Sequence, residues 1–165
     1  MNCRHCKKEL ISTFLDLGTA PPSNAYLSKD DLEKEESYFP LKVMVCNYCW
    51  LVQTLDYTNA EELFSEDYAY FSSTSSSFLA HAKEYSKNII SNLSLDAESF
   101  VVEIASNDGY LLKNFVESNI PCLGIEPTDS TADAAEKLGI PVLREFFGKN
   151  IAINLSESGK KADLI

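Results

Sequence analysis

Apolar and polar positions alternate near the N-terminus. In YFPLKVMVC the apolar residues Leu41, Val43 and Val45 stand at every second position, which predicts a β-strand. WLVQTLDY predicts a second short extended piece, and the double proline of LGTAPPSNAYL predicts a loop because it excludes a helix. The pattern therefore predicts one small unit over residues 1–56.

Apolar spacing becomes helical in the next region. In SFLAHAKEYSKNIISNL, apolar residues recur every three or four positions, which is typical of a helix with one apolar face. Upstream, TNAEELF offers Thr58 or Asn59 as a helix N-cap, and DYAYFSSTSSS is rich in serine and aromatic residues. We expect residues 57–98 to form a helical connecting segment that lines the active site.

Short runs of β-forming residues alternate with helical patterns over residues 99–165. This order predicts a parallel sheet with right-handed crossovers. A doubly wound sheet has about five to seven strands, so we expect the chain to be a fragment that ends within this domain. The predicted elements are strand 100–105, helix 109–118, strand 122–126, helix 130–139, strand 140–145, helix 148–158 and a fourth strand beginning at ADLI.

Composition and charge narrow the partners. The 165 residues are 45% hydrophobic and 24% charged, with a net charge of −11. The absence of a basic stripe argues against a nucleic-acid partner. No apolar run approaches the roughly 18 residues of a membrane span, and the N-terminus lacks the apolar stretch of a signal peptide. We expect a cytoplasmic protein without a membrane partner; the oligomeric state stays open.

Four of the five cysteines form two C-x-x-C pairs, and this pattern predicts a structural zinc site. Four thiolates suit tetrahedral Zn²⁺, and a full set of protein ligands leaves no open position for catalysis. The alternatives are two unrelated thiol pairs or a rubredoxin-like iron site. The predicted metal ligands are Cys3, Cys6, Cys46 and Cys49.

The remaining residues near these pairs receive simpler interpretations. The glycine that is typical just beyond such knuckles is absent, at Lys7 and Tyr48 in our interpretation. We expect His5, inside the first knuckle, not to be a ligand. Cys122 is interpreted as a buried strand residue.

The stretch VVEIASNDGYLL predicts a ligand-binding turn between a strand and a helix. Glu103 lies near the end of a buried strand, where a carboxylate needs a partner. Its single glycine, Gly109, does not suit a pyrophosphate cradle, and Asp108 would repel one. Glu126 ends the next strand, at the position where an acid accepts hydrogen bonds from a ribose.

An acidic turn followed by a ribose-binding acid favours S-adenosylmethionine (SAM) over NAD. SAM carries a sulfonium and an ammonium group and has no phosphate. The alternative is that Glu103 and Asp108 are cap and surface residues of a plain α/β domain.

Eight stretches, in order along the chain, resemble the zinc-binding sugar C-methyltransferases. These SAM-dependent enzymes methylate carbon in nucleotide-linked keto-deoxysugars. The resemblance implies a zinc domain, a central Rossmann-like SAM-binding domain and a further C-terminal domain that carries the catalytic base, beyond residue 165. The stretches are CRHC, DLGTAPPSNAYL, CNYCWLVQ, DYAYFSSTSSSFLAH, VVEIASNDGYLL, LGIEPT, GIPVLREFFG and ADLI.

The expected fold class is therefore α/β, with a small zinc-ribbon-like domain followed by the first half of a Rossmann-like SAM-binding parallel sheet. The resemblance implies a dTDP-linked 4-keto-deoxysugar as substrate, which loses the proton α to its ketone and attacks the methyl group of SAM. A fragment of this kind is expected to be inactive alone, and the clamp for the sugar diphosphate is expected outside it.

The expected site residues follow from the turn and the resemblance together. Tyr68 or Tyr70 is the expected substrate-facing phenol, and His81 is a third catalytic candidate, with an exposed helix histidine as its alternative. Ala105 stands where many relatives have glycine. The expected cofactor-binding residues are Glu103, Ala105, Ser106, Asn107, Asp108, Gly109, Glu126 and Pro127.

Two other functions remain open at this point. One is a nicotinamide-dependent sugar oxidoreductase, against which the single-glycine turn argues. The other is a non-catalytic interaction module made of a zinc ribbon and a degenerate Rossmann partner.

Overall fold

The computed structural model describes residues 1–57, 63–64 and 69–165. The chain divides into two compact units, Met1–Leu63 and Phe64–Ile165. The predicted N-cap residues Thr58 and Asn59 and the candidate Tyr68 lie outside the described residues. The three-part domain division stays a prediction.

Unit 1 contains a three-stranded antiparallel sheet in the order β1–β2–β3. The strands are β1 (Ser12–Ala20), β2 (Phe39–Val45) and β3 (Val52–Thr54). Ser12 pairs with Val45 at one end of the β1–β2 ladder, and Ala20 pairs with Phe39 at the other. The predicted strands in YFPLKVMVC and WLVQTLDY are confirmed.

Two details of this unit differ from the sequence analysis. Residues 17–20, predicted as loop, belong to β1, and the loop begins only at Pro21, because two consecutive prolines have no N–H for the ladder. The buried position of β2 is Met44, whereas Leu41 is exposed. The buried face of β2 therefore carries the thioether that packs beside the cysteines, not the predicted alternating aliphatic residues.

Unit 2 contains a parallel sheet in the order β4–β5–β6. The strands are β4 (Val101–Ile104), β5 (Cys122–Ile125) and β6 (Val142–Leu143). Val101 pairs with Cys122, and Ile125 pairs with Leu143. Leu164 forms a single parallel bridge with Val101, at the place of the predicted fourth strand. The predicted parallel sheet is confirmed, whereas strand 140–145 is reduced to two residues.

Helices connect these strands in the predicted order. Helix α1 begins after Ser75, whose hydroxyl accepts a hydrogen bond from the Phe78 N–H. It ends at Leu93, and the capping residue Ser94 that follows is left-handed at φ 54°. The described helices are α1 (Ser76–Leu93), α2 (Lys113–Glu117), α3 (Asp129–Lys137) and α4 (Lys149–Glu157), with 3-10 turns at Asp31–Glu33 and Ser72–Thr74.

Helix α2 is shorter than the predicted helix 109–118. The side-chain amide of Asn114 donates to the Leu111 carbonyl at 2.9 Å, and such local bonds compete with the regular helical pattern. The bonds from the N–H groups of Asn114 and Phe115 run three residues back, to Leu111 and Leu112. Residues 107–112 therefore form turns, and no long helix begins directly at the acidic turn.

Apolar residues cover both faces of the parallel sheet. Val101 and Cys122 contribute to a cluster with Leu112 and Phe115 on one face, while Val102 and Leu123 pack on the other. This double burial is expected of a parallel sheet with helical crossovers. The prediction that Cys122 is a buried strand residue is confirmed. Within the described parts of the chain, no helix combines the length and apolar character needed to cross a membrane.

Candidate functional site

Two matching knuckles build the cysteine cluster of unit 1. In the first, the Lys7 N–H donates to the Cys3 carbonyl at 3.0 Å, and in the second the Trp50 N–H donates to the Cys46 carbonyl at 3.0 Å. Lys7 and Trp50 are both left-handed, at φ 62° and 63°. The left-handed position of the second knuckle is therefore Trp50, and our placement of it at Tyr48 was wrong. Both are positions that glycine adopts with less strain.

The four predicted metal ligands meet at one point. Their sulfur atoms all lie within 4.8 Å of one another, with Cys3 Sγ to Cys49 Sγ and Cys6 Sγ to Cys46 Sγ both at 3.5 Å. A Zn–S bond of about 2.3 Å gives a tetrahedron with edges of about 3.8 Å, so the donor set fits Zn²⁺. His5 is not part of this cluster.

Hydrogen-bond donors around the cluster favour the thiolate form of two of its cysteines, Cys3 and Cys46. The side-chain amide of Gln53, which is buried, donates to Cys3 Sγ at 3.3 Å. Backbone N–H groups of Cys49 and Tyr48 lower the pKa of the Cys46 thiol. Leu10 and Met44 pack against the buried cysteines and form the core of the unit. Because that core is thin, metal ligation is the expected main source of its stability.

In unit 2, Glu126 at the end of β5 connects the acidic turn to this strand through hydrogen bonds. One carboxylate oxygen accepts from the Asn107 N–H at 2.9 Å, and the other accepts from the Thr128 N–H at 3.0 Å. The Thr128 hydroxyl also donates to Glu126, and both residues are buried. The expected ribose-binding acid therefore also holds the turn in shape, and Thr128 is a site residue that the sequence analysis missed.

The turn itself alternates between ordinary and left-handed backbone. Ala105, Asn107 and Gly109 have φ values of 57°, 52° and 77°. A Cβ on Gly109 would approach the side chain of Ile140 to 2.3 Å, so glycine allows the turn to pack against the core. Asn tolerates this conformation, whereas alanine is strained in it.

Replacing Ala105 by glycine is expected to stabilise unit 2. Glycine removes the strain of a left-handed alanine, about 1–2 kcal/mol, and returns part of it through a more flexible unfolded chain, so we expect a net gain of about 0.5–1 kcal/mol. Urea titration measures the free energy of unfolding. Ala97→Gly, in an exposed loop without positive φ, is the matched control and is expected to lower it. Equal losses in both variants would contradict the strain at Ala105.

Side chains of the turn hold the serine-rich segment of residues 70–73. Asn107 accepts from the Ser72 N–H and donates to the Tyr70 carbonyl, both at 2.9 Å. Asp108 accepts from the Ser73 N–H at 3.0 Å. The structure therefore brings Tyr70 to the predicted cofactor turn, through the two residues that follow Ser106.

Three carboxyl groups lie together at the end of β4, where Asp108 and Glu126 are buried and Glu103 is partly buried. Burial raises the pKa of Glu103 to about 8, with further contributions from the charges of Asp108 and Glu126. The Tyr110 phenol beside Glu103 acts in the opposite direction and lowers the pKa of Glu103. Burial, followed by the charge of Glu103, raises the pKa of Tyr110. The sequence analysis missed Tyr110, although it directly follows the predicted turn.

Aromatic rings connect this group to helix α1. The rings of Phe78 and Tyr110 stack with centroids 4.9 Å apart, and Phe78 stacks on His81 at 6.5 Å. His81 is exposed on α1, as its alternative interpretation expects. It lies one ring beyond the contact between Phe78 and Tyr110, and its catalytic role stays a prediction.

A cavity of about 290 Å³ lies beside the turn. Four expected cofactor residues line it, namely Ala105, Asn107, Glu126 and Pro127. Phe146 and Phe147 add aromatic surface that the sequence analysis did not assign to the site. The cavity joins polar groups at the strand ends to an apolar wall, as small-molecule sites commonly do.

Comparisons with known proteins agree with a zinc site in unit 1 and with a relationship to methyltransferases. Residues 3–64 match the Methyltransf_13 family, described as "Putative zinc binding domain". The chain is also 25% identical over 163 residues to the C-methyltransferase NovU of Streptomyces niveus. Both comparisons support a relationship of this chain to the zinc-binding C-methyltransferases. The resemblance stated from the motifs is thereby confirmed.

Similarity to the zinc-binding C-methyltransferases fits the cysteine cluster directly. The match covers all four cysteines, which supports zinc binding by this segment. The alignment with NovU covers 99% of this chain and 39% of that protein. The chain thus spans about two fifths of the length of the curated relative that it matches. Its cofactor and substrate are therefore proposed below.

Proposed function

We propose that this chain provides the zinc domain and the cofactor-binding turn of a SAM-dependent C-methyltransferase. The observation that carries this proposal is the buried acidic turn of Glu103, Asp108 and Glu126 in a relative of a C-methyltransferase. Such a turn attracts a cationic ligand and repels phosphate. The proposed fold of unit 2 is the first part of a Rossmann-like SAM-binding domain.

The residues of the turn fit SAM in charge and in hydrogen-bonding capacity. Glu103 Oε2 and Asp108 Oδ1 are buried and have no hydrogen-bond partner among the described residues. Buried polar atoms are normally paired, so these two oxygens suit donors from a ligand. We assign the ammonium end of SAM to them, the ribose to Glu126, and the purine to the cavity walled by Phe146 and Phe147.

SAM supplies a methyl group bound to a positively charged sulfur. A carbon nucleophile attacks this methyl group, and the sulfur leaves as a neutral thioether. The residues of this chain bind and orient the partners of that transfer. Asn107 donates to the Tyr70 carbonyl and so holds this backbone segment against the turn, which supports Tyr70 as the proposed substrate-facing phenol. Tyr68 remains the second candidate for this role. A base that removes the proton α to a ketone completes the proposed reaction.

We propose a dTDP-linked 4-keto-deoxysugar as the substrate, on the strength of the family resemblance. Its diphosphate needs cationic partners. Arg144 forms ion pairs with Asp129, Asp133 and Glu136, and Arg4 pairs with Asp56, so both arginines of the chain are engaged with carboxylates. This engagement supports the expectation that the diphosphate clamp lies elsewhere in the full-length enzyme.

Calorimetric titration of the folded, zinc-loaded chain with SAM tests the proposal. We expect saturable binding of one SAM molecule, because the turn offers acceptors to its cationic groups. NADH, followed by its fluorescence, is expected not to bind, since the turn has one glycine and repels pyrophosphate. Binding of NADH without SAM would favour a nicotinamide-dependent oxidoreductase. Binding of neither by folded protein would favour a non-catalytic module.

A further inference from the structure

We propose that the buried acidic turn exchanges a proton for a cation, so that binding of SAM releases the proton held by Glu103. The inference rests on the proposed function and adds a coupling between cofactor and pH. Its basis is the geometry of three carboxyl groups that converge at the ends of β4 and β5.

The first observation is the burial of unsatisfied oxygens. Asp108 is 2% exposed, and its Oδ1 has no partner among the described residues, while its Oδ2 accepts from Ser73. Glu103 Oε2 is likewise buried and unpaired. Two buried acceptors without donors raise the free energy of the folded protein, and binding of a proton or a cation lowers it.

The second observation is the set of groups that face Glu103. Asp108 from the turn and Glu126 from the end of β5 act on it as like charges, and the Tyr110 phenol lies beside it. Cys122 on β5 and Tyr85 on α1 complete the titratable neighbours. No lysine, arginine or histidine in the described ranges forms an ion pair with any of these three acids. Among the described residues, no cationic side chain therefore neutralises the negative charge of these three acids.

These surroundings decide the protonation of the free site. Burial and the two neighbouring acids raise the pKa of Glu103 to about 8, so that near pH 6.5 the free protein holds Glu103 as a neutral acid. A cation placed among the three acids favours the ionised form of Glu103. The exchange balances: Glu103 passes its proton to the buffer, and its new negative charge pairs with the positive charge of the ligand.

Calorimetry near pH 6.5 measures the exchange directly. At this pH the amino group of SAM is itself protonated, because α-amino groups titrate near 7.7–8.0. Titration in two buffers of different ionisation enthalpy gives the number of protons released, and we expect about one for each SAM bound. 5′-Methylthioadenosine, which lacks both cationic groups, is expected to release none.

Two variants separate the source of the proton. Glu103→Gln cannot ionise, so SAM that still binds is expected to release nearly no proton. Glu117→Gln, an exposed change at the end of α2, is the matched control and is expected to leave the release at about one. Binding of SAM without proton release, in the unaltered protein, overturns the inference and leaves the proposed function intact. Absence of SAM binding overturns the proposed function itself.

The unliganded protein offers a second measurement, which serves if Glu103→Gln abolishes binding. A carboxyl whose folded pKa is raised stabilises the fold below its unfolded pKa near 4.3 and loses this contribution as pH rises through about 8. We therefore expect the stability of unit 2 to fall between pH 5 and 8 relative to the Glu103→Gln variant. Parallel pH profiles of the two proteins would contradict a protonated Glu103.

Discussion

Replacing Cys46 and Cys49 together by serine is expected to abolish zinc binding and to unfold unit 1. The change removes one knuckle and leaves only Cys3 and Cys6 as ligands. Structural zinc contributes about 10–16 kcal/mol of apparent free energy at pH 7 in zinc-finger peptides, which exceeds what a core of this size supplies. Metal analysis and circular dichroism measure the two losses, and limited proteolysis locates the unfolded region.

The control for this variant is Cys122→Ala. Cys122 is equally a buried cysteine, but it lies in β5 and outside the cluster. We expect one equivalent of zinc in the control and less than a tenth in the double variant. A double variant that keeps the protease resistance of residues 1–57 would show that the metal is not what stabilises this unit.

Replacing Glu126 by glutamine is expected to destabilise unit 2 and to weaken SAM binding. The carboxylate accepts from the N–H groups of Asn107 and Thr128 and from the Thr128 hydroxyl. The amide introduced by glutamine turns one acceptor into a donor that faces donors. Bonds to a buried charged acceptor contribute about 1.5–3 kcal/mol, so we expect unfolding free energy to fall by about 2–3 kcal/mol. Urea titration measures it.

Glu117→Gln is again the matched control, because the same chemical change at an exposed position leaves no buried donor unpaired. Its unfolding free energy is expected to stay within about 0.5 kcal/mol of the parent protein. For Glu126→Gln, SAM affinity measured at a temperature where the variant is folded is expected to fall at least tenfold. A variant with reduced stability and unchanged affinity would assign Glu126 to the turn alone and remove it from the ribose site.

Much of the candidate metal site was readable from the sequence. The spacing of two C-x-x-C pairs indicated the four ligands, because a knuckle is a local structure that places both of its sulfurs on one side. The backbone conformation of the residue that follows each knuckle was harder to predict. Lys7 and Trp50 are left-handed without being glycine, and only the tertiary packing around the cysteines makes that strain acceptable.

The position of the acidic turn was predicted from the sequence, but its hydrogen bonds to other segments were not. The sequence indicated a strand, a turn and an acid at the end of the next strand, since strand and turn preferences are local. It did not indicate that Asn107 and Asp108 would bind the backbone of Ser72 and Ser73, which lie far away along the chain. Contacts of that kind depend on which segments the fold brings together.

The sequence by itself determined the cysteine set, the alternation of strands and helices over residues 99–165, and the acidic character of the turn. Each of these follows from residue chemistry and local periodicity. Only the tertiary structure decided that β1 begins at Ser12, that Met44 faces the cluster, and that Tyr110 meets Glu103. The physical reason is that burial and hydrogen-bond partners belong to pairs of segments, and no single stretch of sequence specifies its partner.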